Sequence, residues 1–243
     1  GCSSTIRTAR SRTSGECLSD FFFMAPSSQR KEPPEKPGRF NRDSLAQSRR
    51  LKLAKLGTHA HPADVDLRTA RGLGKTRWQQ LASLNWFKQH QHLLLIGPTG
   101  IGKSWLACAL AKAAIDHKRS VRYLRLSRLG EELALLQAQG RISHWLKTLA
   151  RIDLLILEDL GLVPLAPNHQ PLLLELLEDR QQRGSVIVTS QLPLKLWHAQ
   201  FQDPTLADAI LDRLVHNAEN VELTGESMRK RKPANGVKPE AAA

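Results

Sequence analysis

The chain predicts a parallel α/β fold: a five-stranded sheet with helices on both faces. Three observations carry this. Short, mainly apolar runs alternate along the chain with stretches of helical patterning, and strands apolar on both faces belong in a sheet covered on both sides. One run, His92-Leu-Leu-Leu-Ile96, enters a glycine-rich turn, Gly97-Pro-Thr-Gly-Ile-Gly-Lys-Ser104. That turn leads directly into the helix-prone Trp105-Leu-Ala-Cys-Ala-Leu-Ala-Lys112, a strand–loop–helix unit suited to holding phosphate.

Taken in order, residues 1–38 are rich in Ser, Arg and Pro, as in Ser27-Ser-Gln-Arg-Lys-Glu-Pro-Pro-Glu-Lys-Pro37, and lack a sustained apolar period. They are expected to be disordered, with Met24 a candidate native start. Residues 39–91 are expected to form a helical N-terminal extension. Asp43 or Ser44 can cap a basic helix ending near Gly57, with Leu45, Leu51, Leu53 and Leu56 beside Arg49, Arg50, Lys52 and Lys55. A second helix, about 75–90, sets Trp78, Leu81, Leu84 and Phe87 on one face. The core spans 92–226. Its expected strands are 92–97, 120–126, 153–157, 185–190 and 220–223. Helices are expected over 103–117, across 128–150, from Pro171 to about Arg183, and across 194–218. Residues 227–243 form a basic C-terminal tail.

Bulk properties narrow the function. No apolar stretch approaches the ~18–20 residues of a membrane span, and Phe21-Phe-Phe-Met24 is too short for a signal-peptide core, so a cytoplasmic protein with no membrane partner is expected. Cys2, Cys17 and Cys108 have neither disulfide nor zinc spacing. The net charge of +13 is uneven. Residues 1–60 hold 12 Lys/Arg against 5 Asp/Glu, residues 226–243 hold 5 against 2, and those between hold 19 against 16. Basic ends on a nearly neutral body favour a polyanion, with nucleic acid the first candidate and solubility the alternative.

The chemistry begins at the loop. Gly97, Pro98, Thr99, Gly100, Ile101, Gly102, Lys103 and Ser104 match G-x-x-x-x-G-K-S/T. Glycines let several backbone N–H groups face one anion, the next helix adds its positive end, Lys103 reaches the β- and γ-phosphates, and Ser104 ligates Mg²⁺. A second glycine segment, Gly72-Leu-Gly-Lys-Thr76, has Thr69 where the motif needs its first glycine and no buried strand before it. It reads as a surface turn opening the next helix.

Leu154-Leu-Ile-Leu-Glu-Asp159 is an apolar strand ending in two carboxylates. Glu158 can hold Mg²⁺ and Asp159 can orient or deprotonate water, in the reverse of the usual Asp-then-Glu order; this weakens hydrolysis more than binding. Val188-Thr-Ser-Gln191 brings Ser190 and Gln191 to the same sheet edge, either to sense the γ-phosphate or, for Ser190, to cap a turn. In the capped helix Asp203-Pro-Thr-Leu-Ala-Asp-Ala-Ile-Leu-Asp-Arg-Leu214, Arg213 fits either a finger into a neighbouring subunit's site or an intrachain salt bridge. Arg229, in Gly225-Glu-Ser-Met-Arg229, fits a γ-phosphate contact in cis or a place in the basic tail.

Together GPTGIGKSW, DLLILEDLG, VIVTSQLP, DPTLADAILDRLVHNA and GESMRK, in this order over about residues 43–232, resemble the IstB family of insertion-sequence transposition helper ATPases, related to the DnaC helicase loader. The resemblance implies an AAA+ P-loop NTPase that binds ATP and Mg²⁺, forms ATP-dependent homo-oligomers on DNA and delivers target DNA to a partner transposase; the basic ends themselves suggest contact with double-stranded DNA phosphates without sequence preference. By motif position it implies nucleotide roles for Lys103, Ser104, Glu158, Asp159, and Ser190 or Gln191, an arginine finger at Arg213 and a second sensor at Arg229. Three alternatives stand beside it: a DNA assembly factor that binds ATP with little hydrolysis, a DnaC-like helicase loader, and a small-molecule kinase. No Asn-Lys-x-Asp segment for reading guanine occurs.

Overall fold

Five strands, β1 (His92–Ile96), β2 (Val121–Arg125), β3 (Leu154–Leu160), β4 (Ser185–Ser190) and β5 (Ala218–Glu222), form one sheet in the order β2-β3-β4-β1-β5. Every pairing is parallel. The computed structural model describes residues 39–230, so the expectations for residues 1–38, including Cys2, Cys17 and Phe21–Met24, and for the tail beyond Lys230 lie outside them.

Side chains alternate across a strand, and the core divides accordingly. Leu93, Leu95, Tyr123, Leu154, Ile156 and Ile187 face one cluster, which buries α2 (Lys75–Ala82), α3 (Asn85–Lys88) and α4 (Lys103–Asp116) and takes in Ala54 of α1 (Arg39–Ala54). Leu94, Ile96, Leu155, Leu157, Val186 and Val188 face the other. There they meet α5 (Leu126–Ala138), α6 (Ile142–Ala150), α7 (Gln170–Arg180) and α8 (Pro204–Val215). Each fully buried leucine stabilises the fold by roughly 1.5–3 kcal/mol, which fixes the sheet as a rigid base. Among the described residues no helix is long and apolar enough to cross a membrane.

Several boundaries differ from the sequence expectation for local reasons. Helix α1 begins at Arg39 rather than near Asp43, because Asp43 lies inside the helix and pairs with Lys118 Nζ at 3.2 Å instead of capping. The predicted 75–90 helix breaks at Leu84, whose φ is +56°. Trp86 Nε1 donates to Leu81 O at 3.0 Å and Ser83 Oγ to Gln80 O at 2.7 Å, taking carbonyls near the break. Trp78, Leu81, Leu84 and Phe87 are nevertheless all buried. Across 194–218 the only α-helix is α8, preceded by single 3-10 turns at Leu194–Leu196 and His198–Gln200. Asp203 caps α8 by accepting from the Thr205 and Leu206 amides.

Candidate functional site

Where β1 leaves the sheet, the loop doubles back over the strand end and opens α4 at Lys103. Left-handed backbone at Gly100 (φ +80°) and Gly102 (φ +99°) makes that turn. A Cβ at Gly100 would collide with the Ser227 side chain, and one at Gly102 would lie 2.8 Å from Arg71 Nη1. Lys103 is buried, its ammonium donating to the carbonyls of Gly97 at 2.6 Å and Pro98 at 2.9 Å. Burial lowers its pKa; Asp159 and Glu158 oppose that shift and Arg229 adds to it. Thr99 Oγ1 donates to Gln191 Oε1 at 2.5 Å, closing the loop against the end of β4. Ile101 is fully buried in the core, so only its backbone can serve a ligand.

The acid pair sits at an irregularity in the sheet. Pairing of β3 with β4 shifts register between Leu157 and Leu160, and Asp159 has φ +61°, a conformation that short polar side chains tolerate. Its amide donates to Thr189 Oγ1 at 3.0 Å. Such a bulge re-aims side chains. Glu158 is buried and accepts from Tyr123 Oη and from Arg125 Nε, the latter at 2.9 Å. Burial raises its carboxyl above the usual range; a hydrogen bond with Ser104 opposes this, Asp159 adds to it and Lys103 opposes it.

These elements meet in one cavity of about 850 Å³. Thr99, Gly100, Gly102, Lys103, Ser104, Glu158, Asp159, Gln191 and Arg229 all line it. Arg229 arrives there because Met228 N donates to Gly100 O at 2.8 Å, tying the segment after β5 to the loop. Gly97 and Pro98 lie beneath the Lys103 ammonium.

Two predicted residues sit elsewhere. Ser190 is fully buried, with Oγ donating to Leu160 O at 2.7 Å and accepting from Leu192 N at 3.1 Å, which makes it a turn cap. Arg213, on α8, pairs with Glu178 at 2.7 Å and donates to Ala209 O at 2.9 Å, outside the cavity. Conversely, sequence reasoning passed over Arg71, Tyr123, Arg125 and Thr189. Arg125 carries a usable signal: it ends an apolar strand on the edge that bears the acids. Arg71 carries none, since it precedes the glycine segment read as a plain turn. That segment does open a helix, with Gly74 at the N-cap of α2.

A family model described as IstB-like ATP binding protein matches residues 36–236. The chain belongs to that family. A Sinorhizobium fredii protein provisionally named an insertion sequence ATP-binding protein is 50% identical over 181 residues, covering 74% of each chain. Among solved structures, DnaI matches with TM-score 0.59 and 21% identity, over 70% of this chain and 90% of its own. The DnaC helicase loader matches with TM-score 0.57 and 18% identity, over 68% and 97%. At such identities these likenesses show the fold alone, the five-stranded parallel α/β fold that this IstB-like protein shares with DnaI and the DnaC helicase loader.

Proposed function

We propose that this IstB-like protein hydrolyses ATP while bound to double-stranded DNA and thereby assists transposition of an insertion sequence. The observation that carries the reading is the convergence of Lys103, Ser104, both carboxylates and Arg229 on a single cavity at the carboxyl end of the sheet. Loop amides and the start of α4 receive the phosphates, Lys103 leaves its two carbonyls for the β- and γ-phosphates, and Arg229 approaches the γ-phosphate. Asp159 orients and deprotonates the attacking water.

The donor set fits Mg²⁺: a hydroxyl, on Ser104, and a buried carboxylate, on Glu158, both line the cavity. These two residues would hold the ion, which supplies neutralisation of the phosphate charge. In an ATP-dependent homo-oligomer Arg213 would exchange its intrachain partner Glu178 for a neighbouring subunit's phosphate. Arg42, Arg49, Lys52 and Lys55, all exposed on or just after α1, support sequence-tolerant contact with DNA phosphates. Delivery of target DNA to a partner transposase rests on family membership alone.

A second reading, ATP as an assembly ligand with little turnover, draws on one observation: Glu158 Oε2 is held by both Tyr123 and Arg125, which compete with a metal for that oxygen. Steady-state phosphate release with and without duplex DNA separates the two. DNA-stimulated turnover supports the first; ATP-dependent DNA binding without phosphate release supports the second and refutes the first.

A further inference from the structure

We infer that Arg71 is a positioning residue for the phosphate loop, a strut that aims the loop's amides at the β-phosphate. The inference rests on the nucleotide reading above.

Arg71 stands on the segment before β1, far from the loop in sequence. It is only 3% exposed, although it carries a full charge. Its Nη1 donates to Ile101 O at 3.2 Å and its Nη2 to Asp66 O at 3.0 Å. Its Nε finds no partner among the described residues, and the residue lines the cavity that holds Lys103 and Ser104. Burial lowers its pKa and Asp66 raises it, and a guanidinium stays protonated in proteins. A buried cation resting mainly on carbonyls is costly to keep unless its position serves something.

The Ile101 carbonyl explains what that service is. Across a planar trans peptide the C=O and the following N–H point in opposite directions. A guanidinium that draws Ile101 O outward therefore turns the Gly102 N–H the other way, toward the anion side of the loop. Gly102 is the residue whose Cβ would lie 2.8 Å from Arg71 Nη1, so the motif's second glycine also makes room for this strut. The backbone of the same segment is tied to the far wall: Thr224 N donates to Arg71 O at 3.1 Å, and a Cβ at Gly225 would lie 3.0 Å from Ala70 O. Arg71 thus links the loop, the segment from Asp66, and the stretch that carries Arg229. Lysine cannot replace it, since one ammonium on a flexible stem does not bridge two carbonyls in a fixed fork.

The test is displacement of a fluorescent ADP from the full chain by ATP, ADP, pyrophosphate and AMP, comparing wild type with Arg71→Lys and Arg71→Ala. The strut predicts that ADP, ATP and pyrophosphate weaken on the order of 10- to 100-fold, while AMP, which lacks the β-phosphate, changes by less than about twofold. Arg71→Lys should keep the fold, judged by its thermal midpoint without nucleotide, and still lose most of the pyrophosphate affinity. Equal losses for AMP and ADP would reduce Arg71 to a general structural role and overturn the inference. So would pyrophosphate binding unchanged in Arg71→Lys. If the wild type itself binds none of the four, the nucleotide reading fails first; if it binds and Arg71→Lys matches it, only the strut fails.

Discussion

Arg125→Ala should make the protein bind nucleotide at lower magnesium. In the structure Arg125 Nε donates to Glu158 at 2.9 Å, where Glu158 is 5% exposed and Arg125 37% exposed. A charge-assisted hydrogen bond is worth roughly 1.5–3 kcal/mol, and the half-open arginine reduces that to about 1–2 kcal/mol. A metal that draws on Glu158 Oε2 works against that sum, so removing Arg125 should lower the magnesium concentration for half-maximal ATP affinity roughly 5- to 30-fold. The sign depends on pH. Burial raises the Glu158 carboxyl, so the gain shrinks as falling pH protonates it. The assay is ATP affinity titrated against magnesium at pH 8 and again near pH 5.5. A magnesium requirement unchanged or increased at pH 8 would refute the competition between Arg125 and the ion.

Arg213→Ala should spare nucleotide binding and remove ATP turnover, whereas Glu178→Ala, which breaks the same intrachain pair from the other side, should leave turnover intact; equal effects from the two would assign Arg213 to its salt bridge alone. His92 is buried with a pKa lowered to about 4 from 6.5, chiefly by burial and then by Arg180. Because the folded pKa is depressed, its contribution of about 3 kcal/mol is whole above pH 6.5 and fades as pH falls through 4. Denaturant unfolding across pH 4–7 should show this loss in the wild type and a flatter profile in His92→Gln. DNA affinity should drop ~10³–10⁵ between 50 and 200 mM salt if ~6–10 phosphates are contacted, and a nearly flat response would contradict the role of the basic ends.

The parallel sheet was legible because its strands are apolar on both faces, and the phosphate loop because its glycines and lysine must be contiguous. The break at Leu84 was not, since it depends on Trp86 and Ser83 finding carbonyls within the helix rather than on a Gly or Pro. The cavity's nearest groups were legible where a motif marks a strand end, as at Glu158 and Gln191. Tyr123, Arg125 and Arg71 escaped because they enter through tertiary contacts: β2 aligns Arg125 with Glu158 only once β2 and β3 pair, and Arg71 meets Ile101 across thirty positions of chain. At Ser190 the strand-end position left a sensor and a turn cap both open, and its hydroxyl bonds to Leu160 and Leu192, as a turn cap does.

The most direct test of the whole account is calorimetric titration of the full chain with magnesium and ATP, beside the Lys103→Ala variant. Saturable heat at one nucleotide per chain in the wild type, absent from a folded Lys103→Ala, is the expected result. No binding by the wild type, or equal binding by the variant, would contradict the assignment of the loop at residues 97–104.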